Sequence, residues 1–304
     1  MRKIITFFVL FISLIACKPS AKKENIKFTV VTTTTMITDL VKVLGGDAIE
    51  VKGIMGAGVD PHLYKASEGD VTKLSQADLI IYNGLHLEGK LVDVFEKMNQ
   101  MGKQTIALSD FLSHDQIINS EMFASSHDPH IWFSIENWKT ITSGLVKALS
   151  KANPENKDVY QKNGAAYLKE LEQLKTEMTV VIESLPREKR ILVTAHDAFS
   201  YFGKEFDFEV VGLQGLSTAT EAGVKDVQRI SDFIIEHKVK AIFIESSVPK
   251  RTVEALQASV ESKGHEVKIG GQLFSDALGN PTEETGKYIG MYKYNVNTIV
   301  NALK

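Results

Sequence analysis

The tripeptide Asp-Pro-His is written twice in this chain, as Asp60-Pro61-His62 within GVDPHLY and as Asp128-Pro129-His130 within SSHDPHIWFS. Asp-Pro alone is a common way to begin a turn, and on that reading the histidines are passengers. The chemical reading is that proline fixes φ in each turn, so that two stiff turns aim one imidazole each at a shared point. A third histidine, His196, directly follows the apolar run ILVTA. Imidazole suits Zn²⁺ and its neighbours, and a carboxylate oxygen beside it makes Mn²⁺ more acceptable. Asp276 in GGQLFSDALG is the favoured carboxylate, with Asp128, Asp197 and Glu245 as rivals on strand position alone. The intervals between these residues are long and unlike HExxH, so spacing by itself does not identify a site.

The other five histidines have plainer settings. His86 in YNGLHLE reads as a packing or hydrogen-bonding residue, His237 and His265 as exposed, and His114 and His127 as members of a solvated loop. Glu245 ends a strand in AIFIE. It is placed to accept the second N–H of a ligand imidazole, which ligating histidines usually donate.

The elements that must position these groups alternate. Strand patterns at 28–33, 51–55, 79–83 and 105–108 are separated by helical patterns near 36–44, 68–76 and 88–101, with a further helix near 136–150. The rhythm resumes with strands at 191–194, 209–213, 241–245 and 266–269 and helices near 224–237, 250–263 and 283–303. Such alternation implies parallel sheets covered on both faces. Between the two series, Leu168, Leu171, Leu174, Met178 and Leu185 mark one amphipathic helix over 154–186, opened by Pro154 and stopped at Pro186. At 1.5 Å per residue it would run about 48 Å, long enough to cross a domain. The expected fold is therefore α/β: two Rossmann-like lobes, 28–153 and 187–304, joined by one long rigid helix. Ligands of open α/β sheets bind outside the carboxyl ends of the strands. Facing lobes would bring His62 and His130 from one side and His196 from the other, with the site in the cleft between them.

Composition narrows the function. The 304 residues are 43% apolar and 24% charged, ordinary for a globular chain of two domains. A net charge of −3 excludes a nucleic-acid surface. The first residues differ from the body: Arg2 and Lys3 precede an apolar run from Ile4 to Ala16 that is too short for a membrane span. Residues 1–16 read as a secretory signal peptide. Its end, Leu14-Ile15-Ala16-Cys17, resembles the lipobox of bacterial lipoproteins, which puts the cut before Cys17 and a lipid on its sulfur. Residues 17–27 then read as the lipidated cysteine and a polar tether. Cys17 is the only cysteine, so the body has neither a disulfide nor a thiolate ligand.

With these residues in view, the chain resembles the TroA-like (cluster A-I) family, the metal-binding lipoproteins and periplasmic receptors of zinc and manganese ABC importers. The resemblance rests on GVDPHLYKASEGDV, ADLIIYNGLHLE, DPHIWFS, VTAHDAFSYF, AIFIESSVP and LFSDALG, which cover nearly the whole mature chain in order. It implies that His62, His130, His196 and Asp276 are the metal ligands and that the site lies between the lobes. It further implies capture of Zn²⁺ or Mn²⁺, with Fe²⁺ a third candidate, and delivery to a permease in the cytoplasmic membrane driven by its ATPase. The chain itself has no P-loop. The expected molecule is a monomeric, lipid-anchored receptor, periplasmic or on the cell surface, and not an enzyme. It lacks the histidine-rich acidic loop of many zinc receptors and has His196 where many manganese receptors carry glutamate. Two rival functions are a zinc hydrolase, whose open water position a fourth protein ligand would close, and a surface adhesin, for which no residue speaks specifically.

Overall fold

The computed structural model describes residues 27–120 and 127–304; the signal peptide, Cys17 and residues 18–26 of the tether lie outside them. The first lobe holds β1 (Phe28–Thr32), α1 (Thr35–Gly45), β2 (Ile49–Gly53), α2 (Glu68–Gln76), β3 (Leu79–Tyr82), α3 (Val92–Gln100), β4 (Gln104–Ala107) and α4 (Ile135–Ala152). Helix α5 (Lys157–Glu183) leads to the second, with β5 (Ile191–His196), α6 (Ser200–Phe206), β6 (Glu209–Gln214), α7 (Val224–Glu236), β7 (Ala241–Glu245), α8 (Arg251–Ser262), β8 (Lys268–Leu273) and α9 (Tyr288–Leu303). Each lobe has one four-stranded sheet, ordered β2-β1-β3-β4 and β6-β5-β7-β8, with every pairing parallel. The two lobes thus repeat one topology, and in each the crossovers reverse direction beside the first strand, between β1 and β3 or between β5 and β7. That reversal opens a crevice at the carboxyl ends.

Side-chain alternation along the strands assigns the faces. Val31 and Ile80 point to a cluster with Leu74, Phe95 and Met98 of α2 and α3, whereas Val30, Leu79 and Ile81 point the other way. In the second sheet Val193 and Ile242 meet Ile230, Ile234 and Leu256 of α7 and α8, whereas Leu192 and Phe243 turn to the opposite face. Those opposite faces join one continuous core with α1, α4, α5, α6 and α9. The lobes are therefore packed on shared apolar material.

Helix α5 runs through that core. Its buried face, Tyr160, Gly164, Tyr167, Leu171, Leu174, Met178 and Ile182, repeats every three or four residues. At 27 residues it is about 40 Å long, shorter than the sequence suggests. Pro154 opens a separate 3₁₀ turn over Pro154–Asn156, and the α-helix begins only at Lys157.

Other departures have local causes. Helix α3 starts at Val92 rather than near 88; residues 85–90 form turns, with Leu85 and His86 in left-handed backbone, φ 51° and 65°. Strand β8 does not stop at Ile269 but passes through Gly270 and Gly271 to Leu273. Helix α9 and β7 press on this stretch: a Cβ on Gly270 would sit 2.6 Å from Ala302 Cβ and 2.8 Å from Phe243 Cε1. The glycines that look like a strand end are what let α9 close over the sheet. Short helix α6 had no clear pattern in the sequence. We expect Gly270→Ala to lower unfolding stability by about 1–3 kcal/mol through overpacking, measured by urea titration, with metal stoichiometry unchanged.

Candidate metal centre

All four residues singled out from the sequence come together. His62, His130, His196 and Asp276 each offer one ligand atom, and those atoms lie within 4.8 Å of one another. None is more than 4% exposed, so the group is closed off from bulk water. His62 follows β2 across the loop that contains Asp60 and Pro61. His130 precedes α4, His196 is the last residue of β5, and Asp276 lies just beyond β8. Each is delivered from the cleft side of its sheet.

The spacing is that of a coordination shell. His62 Nε2 is 3.3 Å from His130 Nε2, His196 Nε2 is 3.4 Å from Asp276 Oδ2, and His130 Nε2 is 3.6 Å from Asp276 Oδ1. Corners of a tetrahedron with zinc-like bonds of about 2.0–2.1 Å are roughly 3.3–3.4 Å apart. His196 Nε2 and Asp276 Oδ1 are buried without a hydrogen-bond partner among the described residues, a costly state that a cation would relieve. Both Asp276 oxygens border the space, and Ser247 Oγ donates to Oδ2 at 3.2 Å.

Two imidazoles are gripped from behind. His130 donates through Nδ1 to Asp128 Oδ1 at 2.8 Å, and the same oxygen accepts its backbone N–H at 2.9 Å. His196 donates through Nδ1 to Glu245 Oε2 at 2.6 Å, while Glu245 Oε1 accepts the His196 N–H at 2.9 Å. These bonds fix the tautomer that points the Nε2 lone pair inward. Glu245, at the end of β7, and His196, at the end of β5, face each other across the crossover reversal of the second sheet. The first sheet has a counterpart: Glu88 after β3 accepts from Thr33 Oγ1 after β1 at 2.7 Å and from Asn83 N at 2.8 Å. Asn83 Nδ2 in turn donates to Pro129 O at 2.9 Å, bracing the turn that carries His130. Asp128, a rival ligand by sequence, sits behind the ligand imidazole instead. Glu88 had no sequence signal beyond its place in NGLHLE, and the Asn83–Pro129 contact spans too much chain to be read there. Among the other histidines, His86 is exposed, and His114 and His127 form a separate ring contact with centroids 6.2 Å apart.

Electrostatics follow from this packing. Burial pushes the His62 imidazole down to about 3, against the opposing pull of Asp276. Burial would also lower His196, but Glu245 and Asp276 outweigh it and hold its pKa well above 6.5. Asp276 is pulled below the carboxylate range by His196, with His62 and His130 adding to it, despite its burial. A metal needs neutral imidazole, so His196 must shed a proton as metal arrives; His62 is already neutral through the physiological range. Affinity should therefore fall as pH drops below the raised His196 pKa, so the decline begins above pH 6.5. Titration calorimetry near pH 7.5 and near pH 5.5, in buffers of different ionisation enthalpy, should show the loss and the released proton; equal affinity would contradict three histidine ligands. Glu245→Gln should weaken metal binding about 10–100-fold in the same assay.

Comparison with known proteins agrees with this geometry. Residues 30–302 match the family described as ZnuA, zinc-uptake complex component A, periplasmic. The manganese-binding lipoprotein MntA of Bacillus subtilis is 43% identical over 285 residues, covering 94% of this chain and 92% of MntA. The manganese ABC transporter substrate-binding lipoprotein PsaA of Streptococcus pneumoniae is 32% identical over 313 residues, covering 100% of this chain and 99% of PsaA. The solved structure of the periplasmic zinc-binding protein TroA from Treponema pallidum superposes with a TM-score of 0.88 at 45% identity, covering 91% of this chain and 99% of that one. With one family matched along nearly its whole folded length and one architecture shared, the chain belongs to the ZnuA/TroA family of metal-binding substrate-binding proteins.

Proposed function

We propose that His62, His130, His196 and Asp276 bind one Zn²⁺ or Mn²⁺ as cargo and that the protein hands this ion to an ABC-type permease powered by a separate ATPase. The observation that carries the reading is the convergence of four buried donors within 4.8 Å of one another, two of them orphaned. Family membership supports capture and transport over catalysis. Four protein ligands also fill the position that a hydrolytic water would need. Glu245 and Asp128 orient the ligand imidazoles. Equilibrium affinity favours Zn²⁺ over Mn²⁺ at such a site, so the ion carried in the cell follows supply and geometry.

The rest of the reading concerns placement. Residues 1–16 act as the signal peptide, Cys17 carries the lipid, and 17–27 tether the folded body outside the cytoplasmic membrane as a monomer. The division into 28–153, the connecting segment 154–186 and 187–304 follows the two sheets. No helix among the described residues is long and apolar enough to cross a membrane, which is consistent with attachment by a lipid.

Equilibrium dialysis of the mature protein should give one Zn²⁺ or Mn²⁺ per chain. Replacing His62, His130, His196 or Asp276 singly by Ala should cost more than the roughly 10–100-fold loss that an outer partner brings. Unchanged stoichiometry and affinity in the Asp276→Ala variant would remove the proposed site. Cys17→Ala should move the protein from the membrane fraction to the soluble one.

A further inference from the structure

The two Asp-Pro-His turns are not held alike. The segment bearing His130 is bolted to the second lobe: Tyr201 donates to Asp128 O at 2.9 Å, Trp132 Nε1 to Ser275 O at 3.0 Å, Tyr288 to Trp132 O at 2.8 Å and Tyr292 to Phe133 O at 2.9 Å. All four bonds are buried. The turn bearing His62 is different. Its Asp60 accepts the His62 backbone N–H through Oδ1 at 2.8 Å, and its Oδ2 accepts from Thr218 Oγ1 of the second lobe at 2.5 Å. Thr218 belongs to the segment 215–223 between β6 and α7, which is glycine at both ends. It is buried, 8% exposed, although Ala219, Thr220 and Glu221 beside it are exposed. Leu63, the residue after His62, is 49% exposed, so this turn is the outer wall of the site.

We propose that Thr218 is a positioning residue that latches the His62 turn across the cleft, and that parting of the Thr218–Asp60 hydrogen bond is the step that frees the metal. It rests on the four-ligand site proposed above. His130 is locked by four buried bonds to the opposite lobe, and the two lobes share one core. The His62 turn meets the second lobe through the Thr218–Asp60 hydrogen bond, so it is the turn that parting of this bond lets move. Withdrawal leaves three ligands and opens the site at the exposed Leu63 side. Loss of a hydrogen bond to a charged acceptor then speeds release by about tenfold.

The test is metal release from the zinc-loaded mature protein into excess chromogenic chelator, followed by stopped flow. Thr218→Val keeps the shape and removes the hydroxyl; it should release Zn²⁺ about tenfold faster, with association rate, one-to-one stoichiometry and metal-free melting temperature unchanged. Thr218→Ser restores the donor and should return the rate to that of the wild type. Thr218→Ala gives the same readout as valine should the latter fold poorly. Release within twofold of wild type for both Val and Ala variants, or a Ser variant as fast as either, overturns the latch alone. Zinc binding untouched by His62→Ala overturns the site itself and the latch with it, so the two failures are distinguishable.

Discussion

Three imidazoles and a carboxylate that meet out of reach of water satisfy one another only in part: His62 and His130 are hydrogen-bonded, but among the described residues His196 Nε2 and Asp276 Oδ1 are not. Each inward lone pair needs a positive partner, and burial makes the lack of one costly. The protein meets this constraint from behind. Asp128 and Glu245 take the outer N–H groups of His130 and His196, so that the inner nitrogens face the shared space and accept once the rings are neutral. A divalent ion then supplies two positive charges against one inner and two outer carboxylates. Those three carboxylates carry more negative charge than the inner imidazoles can balance. That favours a cation by charge, before geometry distinguishes one metal from another.

Everything larger serves to make four distant loops meet at such a point. Two sheets of identical strand order face their carboxyl ends inward, and in each a buried glutamate ties the ends of the strands that flank the crossover reversal. Helices α5 and α9 share one apolar core with residues of both sheets. Rotating one lobe as a body would shear that core, whose close packing resists such motion. Opening by loops costs only a few hydrogen bonds, and helix α1 of the first lobe meets the second lobe at discrete places: Leu278 N to Thr35 Oγ1 at 2.7 Å, and Tyr288 N to Asp39 Oδ2 at 2.9 Å. Burial lifts the Asp39 carboxyl to about 6, the backbone N–H of Tyr288 opposing it, so this inter-lobe bond sits in a partly titratable setting.

Much of this was legible in the sequence, for reasons that differ by residue. His62 and His130 are visible because proline and aspartate write their turns in adjacent positions. His196 is visible because a β-rich run ends on it. Asp276 was favoured by its place after the last strand among glycines, but three rivals shared its strand position, and the resemblance to a family of metal receptors strengthened the choice. The roles of Asp128 and Glu245 depend on which side of an imidazole they approach, which is a fact of packing. Tyr201, Tyr288 and Tyr292 read as ordinary helix residues, yet their hydroxyls hold the DPHIWF segment from far along the chain. Strand β8 misled at its glycines because a strand-breaking pair is also what a closely crossing helix requires.

The four residues of the proposed site stand at 62, 130, 196 and 276, so the first and last are more than two hundred residues apart. Their meeting depends on two parallel sheets whose strands pair through long crossovers, the kind of contact that forms late in folding. An unfolded chain would have to close several long loops at once to gather them, with no core to repay the lost entropy. The ion therefore cannot nucleate this protein; it can only be taken up by a finished one. The set of donors that could select the ion exists only after folding, so the metals on offer where the chain folds are the ones among which it can choose.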